Sequence, residues 1–245
     1  MRLFVEQALQ PGEALTLDSF AANYISRVLR LKINDSICLF NGILPLGEYT
    51  ASISSISKKQ LIVQIQSFQQ KNLESPLFIN LLQGVSRGDR MDYTIQKAVE
   101  LGVNAFYPLF LDRSNVKLNQ QSRLDKKLAH WQGICNSALQ QSGRTAKVAV
   151  HQPDNIASIQ NITADISLLA DPLAKTSLSE LVLTNKNKPQ RINILIGPEG
   201  GITESERAYT QSQGFTAVRL GPRILRTETA GLAIISYLQA AWGDF

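Results

Sequence analysis

Cysteine and histidine are both scarce in this chain of 245 residues. Its thiols are Cys38 and Cys135, and its imidazoles are His130 and His151. Two thiols so far apart in sequence cannot build a disulfide framework or a cysteine-rich zinc site, which indicates a reducing compartment. Because the cysteines and histidines are not clustered, the sequence predicts no metal site.

Long apolar segments are missing as well. No apolar run approaches the roughly 20 residues that a membrane-spanning helix requires. The first residues, MRLFVEQALQPGE, contain acids and no apolar stretch, which argues against a secretory signal peptide. We therefore expect a soluble, cytoplasmic protein. Hydrophobic residues make up 44% and charged residues 18% of the chain, a composition typical of globular proteins rather than disordered ones.

Acidic residues are too few to balance the basic ones, and the net charge is +5. The excess is concentrated in residues 86–147, which hold ten basic and five acidic residues. Residues 148–245, by contrast, hold eight basic and nine acidic ones. A basic segment of this kind suits a polyanionic partner such as RNA. It is equally compatible with a solvated surface.

The hydrophobic pattern divides the chain into two regions. Residues 1–70 contain one short helix and several β-rich runs, a combination that predicts a small β-barrel. The runs are 2–5, 14–17, 36–41, 48–54 and 61–68. Residues 71–76 are polar and end at a proline, as linkers often do. In residues 77–245 strands and helices alternate, the pattern of an α/β domain with a parallel sheet; Asp89, Thr203 and Thr227 are expected to cap helices there.

Two glycine-containing loops each lie between a predicted strand and a predicted helix. Residues 196–201 read IGPEGG, and residues 220–230 read LGPRILRTETA. Nucleotides bind at the carboxyl ends of strands in such domains, and glycine lets the backbone approach a ligand closely. Either loop could instead be a tight turn that anchors the next helix.

The common nucleotide-binding motifs are absent from both loops. Neither GxGxxG nor GK[ST] occurs there, so the dinucleotide fingerprint and the P-loop are excluded. The apolar pair Ile224-Leu225 lies between Arg223 and Arg226, in a loop that would normally be polar. A flat apolar ligand such as adenine would explain the pair, because ligand pockets combine apolar walls with a few polar groups.

Four segments together resemble one known family. They are SRGDRM at 86–91, QKAVELGV at 96–103, and the two loops. In this order they are similar to the RsmE-type methyltransferases, SPOUT (α/β-knot) enzymes that make 3-methyluridine in 16S ribosomal RNA. The resemblance covers essentially the whole chain. It departs from the family at Tyr24, where the family has a histidine, and in the hairpin at 43–47.

The resemblance implies an α/β fold in which a parallel sheet carries a C-terminal trefoil knot, preceded by a small PUA-like β-barrel that binds RNA. It implies a homodimer that uses S-adenosyl-L-methionine, acts on ribosomal RNA or the assembled small ribosomal subunit, and needs no membrane and no metal. The cofactor would bind in the knot. Its expected contacts are Leu169, Ile196, Gly197, Pro198, Gly200, Gly201, Leu220, Gly221, Pro222, Ile224, Leu225 and Thr227.

Methyl transfer to the uracil nitrogen N3 requires alignment of the reacting atoms and removal of the N3 proton. Arg113 and Arg226 are candidates for stabilising the negative charge that develops on uracil. Glu199 is the carboxylate that its place in the motif puts nearest the methyl group. Two alternatives stay open: Arg113 could hold a phosphate, and Glu199 could interact with a helix N-terminus. Glu228 and Thr229 are expected only to begin the last helix.

RNA contacts are expected from basic residues outside the two loops, namely Arg27, Arg30, Arg87, Lys97, Lys117 and Arg144.

Two other classes of protein fit the same sequence. An RNA-binding assembly protein without catalysis would show strongly salt-dependent RNA affinity and no cofactor binding. An α/β enzyme could use a different adenine nucleotide, although a triphosphate needs a cradle of N–H groups and a lysine. A related methyltransferase with another RNA target is the nearest rival.

Overall fold

The computed structural model describes residues 1–57, 60–114 and 121–245. They form two compact units. One comprises Met1–Glu74 together with Leu139–Lys147, and the other comprises Ser75–Ala138 and Val148–Phe245. The N-terminal unit therefore includes a segment from much later in the chain.

The N-terminal unit is built around a five-stranded sheet that is antiparallel except where β1 pairs with β3. The spatial order is β1-β3-β4-β5-β2. Buried and less buried side chains alternate along β2 and the first half of β5, so one face of the sheet covers an apolar core. The predicted strands are confirmed to within two residues at their ends. The strands are β1 (Arg2–Phe4), β2 (Ala14–Leu17), β3 (Ser36–Phe40), β4 (Gly47–Ile56) and β5 (Leu61–Gln70).

A short helix and the late segment complete this unit. Helix α1 (Ser19–Asn23) continues as a π-helical turn, Tyr24–Val28, whose Ile25 is fully buried in the core. The Arg2 guanidinium donates hydrogen bonds to the main-chain carbonyl oxygens of Leu139, at 2.7 Å, and Arg144, at 2.8 Å. Residues 139–147 are thus bonded directly to the first strand of the unit.

The second unit is an α/β domain in which all the strand pairings described are parallel, as predicted. The strand order is β12-β10-β11-β6-β7-β8, and β9 also pairs with β7. The central strands β6 and β11 are buried along almost their whole length, because helices cover both faces of such sheets. The strands are β6 (Phe78–Gly84), β7 (Val103–Phe110), β8 (Ala149–Val150), β9 (Asp154–Asn155), β10 (Ile166–Ala170), β11 (Arg191–Ile196) and β12 (Thr216–Val218). The helices are α2 (Asp89–Glu100), α3 (Gln121–Ser142), α4 (Leu178–Thr184), α5 (Glu204–Ser212) and α6 (Thr227–Trp242).

One of the three predicted helix caps is confirmed. Thr203 forms the predicted capping box with Glu206 at the start of α5. Asp89 and Thr227 are instead the first helical residues of α2 and α6, and their N-caps make no side-chain hydrogen bond. The Thr227 hydroxyl is used for a different contact, because it lies where two loops meet.

Candidate functional site

A cavity of about 640 Å³ lies at the carboxyl edge of the parallel sheet in the second unit. Its walls include Leu169 at the end of β10, Ile196 at the end of β11 and Val218 at the end of β12, together with the loops that follow these strands. Ligands of α/β sheets bind where the carboxyl ends of neighbouring strands meet. The volume falls within the range of roughly 300–1,000 Å³ typical of small-molecule sites.

The glycine-rich loop at 197–201 packs too closely for side chains. A Cβ atom on Gly84, at the end of β6, would lie 2.6 Å from the nitrogen of Pro198. A Cβ atom on Gly200 would lie 2.8 Å from the Cβ atom of Arg113. The Arg113 guanidinium also donates a hydrogen bond to the Gly200 carbonyl oxygen at 3.1 Å. Gly200 is therefore needed for packing against Arg113, and it does not line the cavity.

Thr227 joins the two loops. Its hydroxyl donates a hydrogen bond to the Gly197 carbonyl oxygen at 2.6 Å and accepts one from the Gln83 amide nitrogen at 2.9 Å. Gln83 lies near the end of β6 and is only 1% exposed. The start of α6, the glycine-rich loop and the central strand are held together by these two bonds.

Apolar side chains line much of the cavity. Leu169 and Ile196 are almost completely buried in its wall. Ile224 and Leu173 also line it, but they are 83% and 75% exposed. Large apolar groups left exposed beside a cavity lose unfavourable contact with water when a ligand covers them. Both residues of the predicted apolar pair, Ile224 and Leu225, line the cavity, and their contact with a flat ligand stays a prediction.

Charged side chains at the cavity are mostly paired. Arg207 Nη1 lies 3.1 Å from Asp171 Oδ2, and Arg90 Nη1 lies 3.2 Å from Glu199 Oε1. The Arg219 guanidinium donates to the main-chain carbonyl oxygens of Ala174 and Lys175. Among the described residues, Arg223, Arg226 and Glu228 also line the cavity and make no side-chain hydrogen bond or ion pair.

Most of the predicted cofactor and catalytic residues come together around this cavity, although their roles stay predictions. Those that line it are Leu169, Ile196, Gly197, Pro198, Gly201, Leu220, Ile224, Leu225 and Thr227, with Arg113, Glu199 and Arg226. Gly200, Gly221 and Pro222 belong to the same loops but do not line it.

Several lining residues were missed by the sequence analysis, including Arg90, Asp171, Arg207 and Glu228. The position of Asp171 in the sequence could have indicated that it lines the site, because it directly follows the buried strand that ends at Ala170. The side chains of Arg90 and Arg207 reach the cavity from helices α2 and α5. Their pairing with acids from other loops depends on tertiary structure and has no local sequence pattern.

The predicted RNA-binding residues differ in their surroundings. Arg27, Arg30 and Arg87 are exposed, while the Lys97 ammonium group is paired with Glu100 at 2.8 Å. Arg144 is only 5% exposed and forms an ion pair with Glu74, so its guanidinium is not available at the surface. Lys117 lies outside the described residues.

Neither a membrane span nor a metal cluster is found in the part of the chain that the structure describes. No helix there combines the length and the apolar character needed to cross a bilayer. No group of three or more Cys, His, Asp or Glu side chains is placed to hold a metal ion.

Two family models match the chain. The model of an RNA methyltransferase domain matches residues 73–239, and the model of an RNA methyltransferase PUA domain matches residues 21–66. The first match covers more than half of the chain, including the whole cavity.

Individual relatives are similar over the full length. The ribosomal RNA small subunit methyltransferase E of Buchnera aphidicola from Acyrthosiphon pisum is 36% identical over 248 residues, which cover 100% of this chain and 94% of the relative. The Neisseria gonorrhoeae enzyme of the same name, solved bound to S-adenosyl methionine, has a TM-score of 0.88 and 36% identity, with 100% and 98% of the two chains covered. A Legionella pneumophila chain solved with the cofactor SAM has a TM-score of 0.91 and 37% identity, with the same coverage.

Proposed function

Because this chain belongs to the family of ribosomal RNA small subunit methyltransferases E, we propose that it transfers the methyl group of S-adenosyl-L-methionine to N3 of a uridine in 16S ribosomal RNA. The observation that carries the proposal is the cavity between the glycine-rich loop and the loop before α6. The sequence predicts that both loops bind a ligand, and the fold brings them to one site. A ribosomal substrate would place the enzyme in the cytoplasm.

The cavity suits the cofactor in size and chemistry. Leu169, Ile196 and Leu225 offer apolar contacts for the adenine ring, and the glycine backbone leaves polar main-chain atoms accessible. S-adenosyl-L-methionine, when bound, supplies the reactive methyl group. The hydrogen bonds from Thr227 to Gly197 and from Gln83 to Thr227 hold the two loops in a fixed position relative to each other. A preorganised site lowers the entropic cost of aligning the reacting groups.

We assign two arginines, Arg113 and Arg226, to stabilising the uracil during the reaction. Arg113 is oriented by its hydrogen bond to the Gly200 carbonyl oxygen, and the Arg226 side chain makes no hydrogen bond or ion pair within the described residues. Negative charge develops on the uracil carbonyl oxygens as N3 loses its proton, so a nearby guanidinium stabilises the transition state. Glu199, by contrast, is engaged by Arg90, and we assign it to positioning the loop at 197–201.

The N-terminal unit exposes side chains of the types that bind RNA. The π-helical turn exposes Arg27 together with 39% of Tyr24 and 65% of Val28, and the exposed Arg30 follows it. Guanidinium groups contact phosphates, and aromatic rings stack on unpaired bases. We place the first RNA contacts on this surface.

Helix α6 is the basis for proposing a homodimer. It contains no charged residue between Thr229 and Trp242, although Ala233, Tyr237 and Ala240 lie at least partly exposed at helical spacing. A surface helix normally carries charge on its outer face. A second copy of the chain, packed on this stripe, would bury it. The knot implied by the resemblance stays a prediction.

The first experiment measures cofactor binding by titration calorimetry with three proteins. Wild type should bind S-adenosyl-L-methionine saturably. Ala170→Trp, which places an indole in the cavity wall, should lose most of that affinity. Ala8→Trp, at an exposed alanine of the N-terminal unit, should bind like wild type. A substitution of Gly200 would be a poorer probe because it would displace Arg113.

The second experiment identifies the product. Wild-type protein is incubated with small ribosomal subunits or free 16S RNA and the labelled cofactor, and the RNA is digested to nucleosides. We expect label in 3-methyluridine. Label in another nucleoside would retain a methyltransferase but overturn the uridine N3 assignment. A well-folded wild type that binds RNA but no cofactor would instead favour an assembly protein without catalysis.

A further inference from the structure

Methylation at N3 of uracil releases a proton, so some group must accept it. Among the described residues, three carboxylates line the cavity: Asp171, Glu199 and Glu228. The hydrogen-bond partners of these carboxylates differ, and that difference separates one of them from the other two.

Asp171 is fully engaged by other groups. Its Oδ2 atom lies 3.1 Å from Arg207 Nη1, and its Oδ1 atom accepts a hydrogen bond from the Leu173 N–H at 2.9 Å. The side chain is 6% exposed. Protonation of Asp171 would take away the ionic partner of the Arg207 guanidinium, so Asp171 is better suited to holding Arg207 than to receiving a proton.

Glu199 is engaged in a similar way. Its Oε1 atom accepts hydrogen bonds from Arg90 Nη1 at 3.2 Å and from the Arg87 N–H at 3.4 Å. These contacts connect the glycine-rich loop to the start of α2. Protonation would weaken both contacts, so Glu199 is better suited to holding the loop than to receiving a proton.

Glu228 has no such partner. Its side chain makes no hydrogen bond or ion pair within residues 1–57, 60–114 and 121–245, and its Oε2 atom is shielded from solvent without a donor. A buried carboxylate oxygen without a donor is costly, and the cost is relieved when a ligand brings a donor to the group. Glu228 also lies in the first turn of α6, where its side chain lines the cavity.

We propose that Glu228 is the catalytic proton acceptor of the methyl transfer, an inference that rests on the proposed function. A carboxylate oxygen of Glu228 takes the proton from uracil N3. The N3 electron pair forms the new bond to the methyl carbon, and the carbon–sulfur bond breaks with its electron pair left on sulfur. The products are 3-methyluridine, S-adenosylhomocysteine and a neutral Glu228, which then loses its proton to water. The bonds of the adjacent Thr227 hold Glu228 in place.

The test compares wild type with Glu228→Gln, Glu228→Asp and the control Glu204→Gln. Glu204 also lies in the first turn of a helix, but its side chain is 87% exposed and does not line the cavity. Three quantities are measured: the single-turnover methylation rate as a function of pH, the Kd for S-adenosyl-L-methionine, and the unfolding temperature.

For Glu228→Gln we expect the rate at neutral pH to fall by about 10²- to 10⁴-fold, the usual contribution of a general base. The remaining rate should rise about tenfold per pH unit, because hydroxide must then remove the proton. The cofactor Kd should be unchanged, and the unfolding temperature should not fall, because no partner is lost. Glu228→Asp should retain an intermediate rate with the wild-type pH profile, and Glu204→Gln should match wild type throughout.

Two results would overturn the proposal while leaving the methyltransferase intact. One is a Glu228→Gln rate within a few-fold of wild type. The other is a weakened cofactor Kd with an unchanged pH profile, which would make Glu228 a cofactor contact. If wild type itself neither binds the cofactor nor methylates RNA, the proposed function fails first, and this inference fails with it.

Discussion

Glu48 lies between two cations in the N-terminal unit. Its Oε1 atom accepts hydrogen bonds from Arg2 Nε at 2.6 Å and from Lys71 Nζ at 3.0 Å. Burial by itself raises the pKa of this carboxyl, but the hydrogen bonds and charges of Lys71 and Arg2 outweigh it and hold the pKa below its ordinary value of 4.5. The ionised carboxylate therefore stabilises the folded unit.

This pKa shift predicts a dependence of stability on pH. The stabilisation is fully present above the unfolded pKa, near 4.5, and is lost as the pH falls through the lower folded pKa. Glu48→Gln should therefore cost about 1–3 kcal/mol at neutral pH and should flatten the acid side of the stability profile. Thermal unfolding across the acid range measures both effects. The exposed Glu13→Gln serves as the control, and an acid profile like that of wild type in Glu48→Gln would contradict the prediction.

At the scale of secondary-structure elements, helix α6 serves two purposes. Its first turn closes the cavity, and its uncharged outer stripe is the proposed dimer surface. We expect Tyr237→Lys, which puts a charge in the middle of that stripe, to shift the protein from dimer to monomer in sedimentation analysis. Leu183→Lys, at an exposed leucine of α4, should leave the dimer intact. A monomeric wild type, or a dimeric Tyr237→Lys, would show that the stripe is not the interface.

The sequence predicted the elements of both units well because each carries its own periodic pattern. The alternation along β2 and β5 and the continuous apolar run of β11 are local signals, and so is the capping box at Thr203. The two loops could be selected for the same reason, since their glycines follow predicted strands.

What the sequence could not predict depends on contacts between distant segments. Arg144 resembles any other basic residue in the sequence, yet in the fold it is buried against Glu74. Glu228 was expected only to begin a helix, because its lack of a partner is visible only once the surrounding chain is in place. Threonine is a residue type that often caps helices, but the Thr227 hydroxyl donates its hydrogen bond to the Gly197 carbonyl oxygen instead.

At the scale of the whole molecule, the N-terminal unit is discontinuous in sequence. Residues 139–147 supply hydrogen-bond partners for Arg2, Phe4, Lys71 and Glu74. In a fragment of residues 1–74 these groups would lose their partners, and the fold would be destabilised by each group that stayed buried. We expect the fragment to be largely unfolded at a temperature where the full chain is folded, as measured by circular dichroism. Adding a peptide of residues 139–147 should partly restore the signal, and a fragment that folds alone would refute the expectation.

The same discontinuity sets the order of events during synthesis. When the first 74 residues have left the ribosome, the segment that supplies hydrogen-bond partners for Arg2, Phe4, Lys71 and Glu74 is still untranslated. The nascent N-terminal unit therefore lacks these polar contacts until residue 147 has emerged. Domains usually fold as units from the N-terminus as they are made, but here much of the second unit is synthesised before the first can be finished. The interval is one in which a chaperone, or a pause in translation, would have the greatest effect on the yield of folded protein.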